Sequence, residues 1–183
     1  MKIPDKAKKV FTGVIFDTYQ WEQEMFDGSQ ATFEMLKRPD TLQVICTQED
    51  KIIMGRESQP NKKDFYSLFG GRLEKDEDHL SGAKRELKEE TGLESDDWEE
   101  IKVYEPYTKM EWEIHVYVAR NCKKVAEQNL DSGEKIELIE VNFDEFIDLV
   151  LNEKFYGKEI VEGILRMKLD NTLDDFKQKL FKK

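Results

Sequence analysis

The sequence has few of the features that mark secreted, membrane-spanning or nucleic-acid-coating proteins. Its 183 residues include two cysteines, Cys46 and Cys122, and neither lies in a metal-ligand spacing. Such scarcity is typical of a protein whose thiols stay reduced. No apolar run approaches the roughly 18 residues of a membrane span, and the lysine-rich residues 1–9 precede no apolar signal segment. We therefore expect a cytoplasmic protein without a membrane partner.

Basic residues are also scarce relative to acidic ones. The 29 Lys and Arg side chains stand against 40 Asp and Glu, which gives a formal net charge of −11. Because binding to a phosphate backbone needs clustered Lys and Arg, we expect no nucleic-acid partner. An aromatic content of 11% argues against a disordered chain. The length suits one domain with a sizeable core.

Hydrophobic periodicity predicts an α+β fold in which neighbouring strands pair locally. Strands are predicted at residues 10–19, 30–36, 42–46, 51–54, 65–69, 100–104, 112–119 and 135–141. Helices are predicted at residues 78–91, 144–152 and 158–169, and the helical spacing recurs in the tail at Leu173, Phe176 and Leu180. Gly92 stands where a C-terminal glycine cap belongs, and Gly82 inside the first helix indicates close packing there.

The chemistry is concentrated in residues 71–93, which read GRLEKDEDHLSGAKRELKEETGL. On a helix, Glu86, Glu89 and Glu90 converge on one face. Three like charges so close oppose one another's ionisation, and a divalent cation would offset that cost. Oxygen ligands without neighbouring His or Cys favour Mg²⁺ or Mn²⁺ over Zn²⁺. The spacing alone leaves a second interpretation open, namely a solvated acidic helix face.

This segment resembles the complete signature of the Nudix hydrolases, and we call residues 71–93 the box. The nine constrained positions are all filled, by Gly71, Glu77, Arg85, Glu86, Leu87, Glu89, Glu90, Gly92 and Leu93. The resemblance implies an α/β/α sandwich with a mixed β-sheet. It also implies an N-terminal β-extension over residues 1–40, a hydrolase core over residues 41–155 and a helical tail over residues 156–183, within a single domain.

The resemblance also implies roles for individual residues. Glu86, Glu89 and Glu90 would be catalytic metal ligands for Mg²⁺ or Mn²⁺, with the Gly70 carbonyl as an additional one. Arg85 would orient these glutamates, and Glu77, Gly71 and Gly92 would support the loop and helix. The general base varies within the family. Glu134 is the first candidate and Glu137 the second, and for both the alternative is an exposed loop acid.

The segments around the box resemble the ADP-ribose pyrophosphatase group, which implies a homodimer that hydrolyses ADP-ribose or a related nucleoside diphosphate sugar. Arg56 would contact phosphate, and Trp21 and Trp112 would stack on a base, although aromatic residues on strands more often pack in the core. The run Phe69-Gly70-Gly71-Arg72 is closer to enzymes that sanitise the nucleotide pool, so a (d)NTP pyrophosphohydrolase stays open.

A protein of another class, a non-catalytic module that binds ADP-ribose, is a further alternative, although a binding-only module would be expected to lose box acids and none is missing. The chain contains two histidines. We interpret His79 as a surface residue at a helix start and His115 as a strand residue, and neither receives a catalytic role.

Overall fold

A computed structural model describes residues 1–182, in which thirteen strands and four helices follow one another. The strands are β1 (Lys8–Thr12), β2 (Asp17–Glu24), β3 (Gln30–Lys37), β4 (Thr41–Gln48), β5 (Lys51–Gln59), β6 (Lys62–Ser67), β7 (Leu93–Glu94), β8 (Asp97–Tyr104), β9 (Met110–Glu111), β10 (Ile114–Arg120), β11 (Lys123–Lys124), β12 (Lys135–Val141) and β13 (Phe155–Tyr156). The helices are α1 (His79–Thr91), α2 (Phe143–Val150), α3 (Lys158–Leu169) and α4 (Leu173–Phe181). Within residues 1–182, no helix has the length and apolarity needed to cross a bilayer.

The N-terminal residues form a separate four-stranded sheet in the order β1-β2-β3-β9. The prediction of one strand over residues 10–19 is wrong, because the chain reverses between β1 and β2. Gly13 makes this turn, in which its N–H donates to the Phe16 carbonyl over 2.9 Å. The apolar residues on both sides of Gly13 hid the turn from a reading based on periodicity, and Val14 at its tip is exposed.

The central sheet has seven strands in the order β13-β6-β5-β4-β10-β8, with β12 paired to β5. It is mixed, since β4 runs parallel to β10 while β5 pairs antiparallel with β6 and β12. Successive residues of a strand point to opposite faces, and Val44 and Ile45 accordingly join two different core clusters. Helix α1 packs on the Val44 face and helices α2 to α4 on the Ile45 face, which confirms the α/β/α sandwich.

Helix α1 has a side-chain cap at its start and the predicted glycine cap at its end. The Asp78 side chain accepts a hydrogen bond of 3.0 Å from the Ser81 N–H, and Gly92 closes the helix with φ +70° and a 2.7 Å bond to the Lys88 carbonyl. A Cβ on Gly82 would lie 2.5 Å from Leu42 Cδ1. The helix therefore packs closely on β4, as its internal glycine predicts.

The C-terminal helix α4 belongs to the core cluster on the Ile45 face of the central sheet, since its Phe176 and Leu180 side chains are buried there. The buried guanidinium of Arg120 donates to the Lys179 carbonyl over 2.9 Å and to Glu99 over 2.6 Å. Bonds from lysine and arginine side chains lower the pKa of Glu99 to about 2. The tail is thus attached by apolar packing and by a buried cation. Cys46 and Cys122 are free, as predicted, and both are buried.

Candidate active site

The loop between β6 and α1 is attached to the edge of β4 by its backbone. The Val44 N–H donates to the Phe69 carbonyl over 2.8 Å, and the Leu42 N–H donates to the Gly71 carbonyl over 2.9 Å. Gly70, between them, has φ +138°, and a Cβ at this position would lie 2.0 Å from the Leu42 carbonyl oxygen. Only glycine fits here, and the loop backbone consequently runs directly against β4.

This close approach places the loop backbone against two of the three glutamates on the acidic face of α1. The Gly70 N–H donates to Glu90 Oε2 over 2.7 Å, and a Cβ on Gly71 would lie 2.5 Å from Glu86 Oε1. Glu90 is 7% exposed, whereas the side chain of Glu89 is 40% exposed. The structure therefore brings Gly70, Gly71, Glu86 and Glu90 together, with Glu89 at the solvent side of the same helix face.

Arg85 connects three acids of the box, Glu77, Glu86 and Glu89. Its Nε and Nη2 atoms bind the two oxygens of Glu77 over 3.1 Å each. Its Nη1 atom donates to Glu86 over 2.9 Å and to Glu89 over 3.0 Å. These bonds lower the pKa of Glu77 and raise that of Arg85. A rigid, planar guanidinium suits this fork geometry, and lysine has no equivalent of it.

Burial and mutual repulsion oppose the ionisation of the carboxyl groups around Glu90. Burial, together with the nearby charges of Glu57, Glu86 and Glu134, raises the pKa of Glu90 to about 9. Burial also raises the pKa of Glu86 and of Glu57. Four acids thus share one region, two of them, Glu57 and Glu90, more than nine-tenths buried. Such a set of desolvated oxygens fits a hard divalent cation, whose charge would favour the ionised forms.

Sequence reasoning did not assign Glu57 to this site. Its side chain accepts a hydrogen bond from the Ser67 hydroxyl on the neighbouring strand β6. The predicted strand ended at Met54, whereas β5 continues to Gln59. Continuing the alternation from the buried Ile53 would have turned Glu57 towards the α1 face of the sheet, so the signal was present in the sequence.

The two candidate bases lie in different surroundings. Glu134 ends a turn just before β12, where its N–H donates to the Asp131 carbonyl over 2.9 Å, and its charge raises the pKa of Glu90. Glu137 pairs with Arg56 over 3.7 Å on the exposed surface of β12 and β5. The structure thus brings Glu134 near the box acids and leaves Arg56 and Glu137 paired with each other in solvent.

The two predicted stacking residues lie apart from each other. Trp21 is buried in β2 against Phe33, with ring centroids 5.9 Å apart, an arrangement typical of core packing. Trp112 stacks on the Arg38 guanidinium at 4.4 Å and on Tyr107 at 6.0 Å. It also lines a cavity of about 580 Å³ between the N-terminal sheet and residues 73–75 of the box, a volume within the range of small-molecule sites.

The high pKa of Glu90 predicts how the stability of the metal-free protein depends on pH. In an unfolded chain this carboxyl ionises near pH 4.5, but in the folded protein it ionises near pH 9. The folded state therefore holds an extra proton between these values, so this contribution to stability is complete below pH 4.5 and is lost as the pH rises towards 9.

Glu90→Gln removes that titration and keeps an oxygen that can accept the bond from Gly70. We expect the variant to exceed wild type in free energy of unfolding by about 2 kcal/mol at pH 8, and by much less at pH 5. Urea denaturation of chelator-treated protein at the two pH values measures the difference. If Glu90→Gln exceeded wild type in free energy of unfolding by the same amount at pH 5 and at pH 8, the raised pKa of Glu90 would be contradicted.

Comparisons with known proteins agree with this architecture. The family model of the NUDIX domain matches residues 36–162. The methanol dehydrogenase activator of Bacillus methanolicus is 30% identical over 172 residues, which cover 92% of this chain and 93% of that protein. The ADP-ribose pyrophosphatase of Bacillus subtilis (strain 168) is 29% identical over 172 residues, covering 91% of this chain and 92% of that protein.

A solved structure supports the fold independently. The crystal structure of an ADP compounds hydrolase has a TM-score of 0.70 with 16% sequence identity, and the match covers 94% of this chain and 100% of that one. The family model covers more than half of the chain and contains the whole box. The protein therefore belongs to the Nudix hydrolases, and it resembles their ADP-ribose pyrophosphatase-like members.

Proposed function

We propose that the protein is a Mg²⁺- or Mn²⁺-dependent pyrophosphatase that hydrolyses the diphosphate bond of ADP-ribose or a related nucleoside diphosphate sugar. The products would be a nucleoside monophosphate and a phosphosugar. The observation that carries this proposal is the buried group of box carboxylates, in which Glu90 has a pKa near 9 and forms no ion pair with a cationic side chain of residues 1–182. A divalent ion would offset the negative charge of these carboxylates and could in turn bind an anionic diphosphate.

The residues that would hold the ion are Glu86, Glu89, Glu90 and the Gly70 carbonyl. When bound, the ion would neutralise charge on the diphosphate and acidify the attacking water. Arg85 keeps Glu86 and Glu89 in place through its two bonds from Nη1. Their fixed position reduces the reorganisation that binding would otherwise require.

Two further roles concern the proton and the substrate. Glu134 would accept the proton of the attacking water. Its carboxylate is close enough to Glu86 and Glu90 for its charge to raise the pKa of both. Trp112 is supported as a base-stacking residue by its place on the 580 Å³ cavity. Arg56 stays a prediction as a phosphate contact, because strand alternation places it on the sheet face opposite to Glu57, where it pairs with Glu137. Trp21 stays a prediction, with core packing as its alternative.

The relatives support the same chemistry without deciding the substrate. One relative is named an ADP-ribose pyrophosphatase, another a methanol dehydrogenase activator, and both align over more than nine-tenths of their lengths. A (d)NTP pyrophosphohydrolase is the second candidate, favoured by the run Phe69-Gly70-Gly71-Arg72. A binding module without turnover is disfavoured, because every acid of the box is present.

The substrate class is tested by comparing kcat/KM for ADP-ribose, NADH, sugar nucleotides, diadenosine polyphosphates and (d)NTPs, each with Mg²⁺ and with Mn²⁺. We expect a diphosphate-linked substrate to exceed every triphosphate by at least about tenfold, a difference of about 1.4 kcal/mol in transition-state stabilisation. Chelated enzyme and the Glu90→Gln variant are the controls. If kcat/KM for a triphosphate exceeded that for every diphosphate-linked substrate, the protein would instead be the second candidate, a (d)NTP pyrophosphohydrolase.

A homodimer formed through the N-terminal β-extension is part of the proposal. Exposed apolar side chains are concentrated around the turn between β1 and β2, at Val10, Phe11, Val14, Ile15 and Phe16. A cluster of this kind on a soluble surface is typical of an interface. The solution mass at assay concentration tests this assembly, and a strictly monomeric mass would contradict it.

A further inference from the structure

Both histidines of the chain lie together at the N-terminal end of α1, about two helical turns from Glu86. His79 is the first residue of α1 and His115 lies in β10, and their rings stack with centroids 3.8 Å apart. Asp40, between β3 and β4, completes a group whose ligand atoms all lie within 4.8 Å of one another. His79 precedes Glu86 by two helical turns, or about 10 Å along the axis.

His115 has one ring nitrogen engaged and the other without a hydrogen bond. Its Nδ1 atom lies 2.6 Å from Glu100 Oε1. Its Nε2 atom is buried and has no hydrogen-bond partner among the described residues, and the residue as a whole is only 6% exposed. A carboxylate that accepts the Nδ1 proton leaves the lone pair on Nε2, which is the arrangement found where histidine binds a metal. A buried lone pair without a partner is otherwise costly.

Asp40 is the carboxylate of that group, and Glu113 is a fourth candidate ligand through its contact with His115. Asp40 Oδ1 accepts the Glu113 N–H over 2.9 Å, and Asp40 Oδ2 lies 3.1 Å from His79 Nε2. Glu113 Oε2 lies 3.3 Å from His115 Nε2, in a geometry that makes no hydrogen bond. Both separations are close to the edge of a tetrahedron built on bonds of about 2.1 Å, which is about 3.4 Å.

We propose that Asp40, His79, His115 and Glu113 form a second metal site, selective for Zn²⁺ or a similar transition-metal ion. Two imidazoles and two carboxylates suit such an ion, whereas Mg²⁺ prefers oxygen ligands alone. Because imidazole lone pairs lie in the ring plane, the His79 ring, whose side chain is 36% exposed, would have to rotate out of its stack to complete the site. His115 keeps its orientation through Glu100.

The site would connect three parts of the fold. Asp40 and Glu113 lie at the junction of the N-terminal sheet with the central sheet, and His79 starts the helix that carries the box. An ion at this position would fix the junction and the start of α1 and would thus act as a structural metal. Asp40 and Glu113 also line the 580 Å³ cavity that contains Trp112, so the test measures zinc binding directly and without substrate.

The test uses full-length protein without a histidine tag, so that the only imidazoles are His79 and His115. After chelation and dialysis, Zn²⁺ is titrated in excess Mg²⁺, and bound zinc is counted by elemental analysis. Co²⁺ substitution adds visible d–d absorption bands that report tetrahedral geometry. The variants are His79→Asn, which removes a half-exposed ligand, and Glu100→Gln, which changes the support of His115 with little change in volume. Glu90→Gln removes a box ligand and is the matched control.

We expect one Zn²⁺ per chain in wild type and in Glu90→Gln. Affinity should fall at least about 100-fold in His79→Asn and about 10- to 100-fold in Glu100→Gln, together with the Co²⁺ bands. Zinc binding that is absent from wild type, or equal in all four proteins, would overturn the proposal. So would zinc that is lost from Glu90→Gln but kept by His79→Asn, because that ion would belong to the box. If His79→Asn fails to fold, Glu100→Gln alone decides between these outcomes.

Discussion

Replacing Glu90 with Gln is expected to lower kcat/KM by at least about 1000-fold, which corresponds to about 4 kcal/mol of transition-state stabilisation. The amide keeps the volume and can still accept the 2.7 Å bond from the Gly70 N–H. What it removes is a carboxylate, the proposed metal ligand, at the place where burial and neighbouring acids oppose charge most. Activity should therefore fall while the fold persists, a combination that separates a ligand from a structural residue.

Glu94→Gln is the matched control for this loss. Glu94 follows the same helix, but its side chain is half exposed and pairs only with Lys88 over 2.7 Å. Surface pairs of this kind contribute little, so Glu94→Gln should keep wild-type turnover with each metal. The measurement is kcat/KM for the best substrate at saturating Mg²⁺, with circular dichroism as the check of folding. Near-normal turnover by Glu90→Gln would overturn the metal assignment.

Replacing Gly70 with Ala is expected to lower the free energy of unfolding by about 4 kcal/mol. The added Cβ would lie 2.0 Å from the Leu42 carbonyl oxygen, and the backbone has φ +138°. Both the strain and the clash fall on backbone atoms, which cannot rotate away as a side chain could. Relief would require the loop to leave β4, which would also remove the Gly70 N–H from Glu90.

Gly28→Ala separates the two contributions to this loss. Gly28 also has a positive φ, +81°, but a Cβ there would meet nothing within 4 Å. This control therefore carries the conformational strain alone and should cost about 1 kcal/mol. Urea denaturation followed by circular dichroism measures both variants. If Gly70→Ala and Gly28→Ala lost the same free energy of unfolding, the loop would not approach β4 as closely as described.

Features that depend on a few neighbouring residues could be predicted from the sequence. Hydrophobic periodicity over residues 78–91 indicated α1, and Gly92 indicated its end. The spacing of Glu86 and Glu90 placed their carboxylates on one face, and the structure adds that this face meets the loop at Gly70. These predictions succeed because the geometry of a helix is set by its own backbone.

Features that depend on the register between distant strands could not be predicted in the same way. Glu57 reaches the box acids because β5 extends to Gln59 and pairs with both β6 and β12. The break of residues 10–19 into two strands depends on the turn at Gly13, which apolar neighbours conceal. A shift of one residue in any of these pairings would turn the side chains to the opposite face.

The sequence by itself determined the box, its acidic helix face and the family resemblance, because these lie within 23 consecutive residues. Only the tertiary structure showed that burial raises the pKa of Glu90 and that His79 and His115, 36 positions apart in the sequence, stack beside Asp40. The physical reason is that desolvation and contacts across the sheet depend on which segments pack together, whereas helical spacing does not.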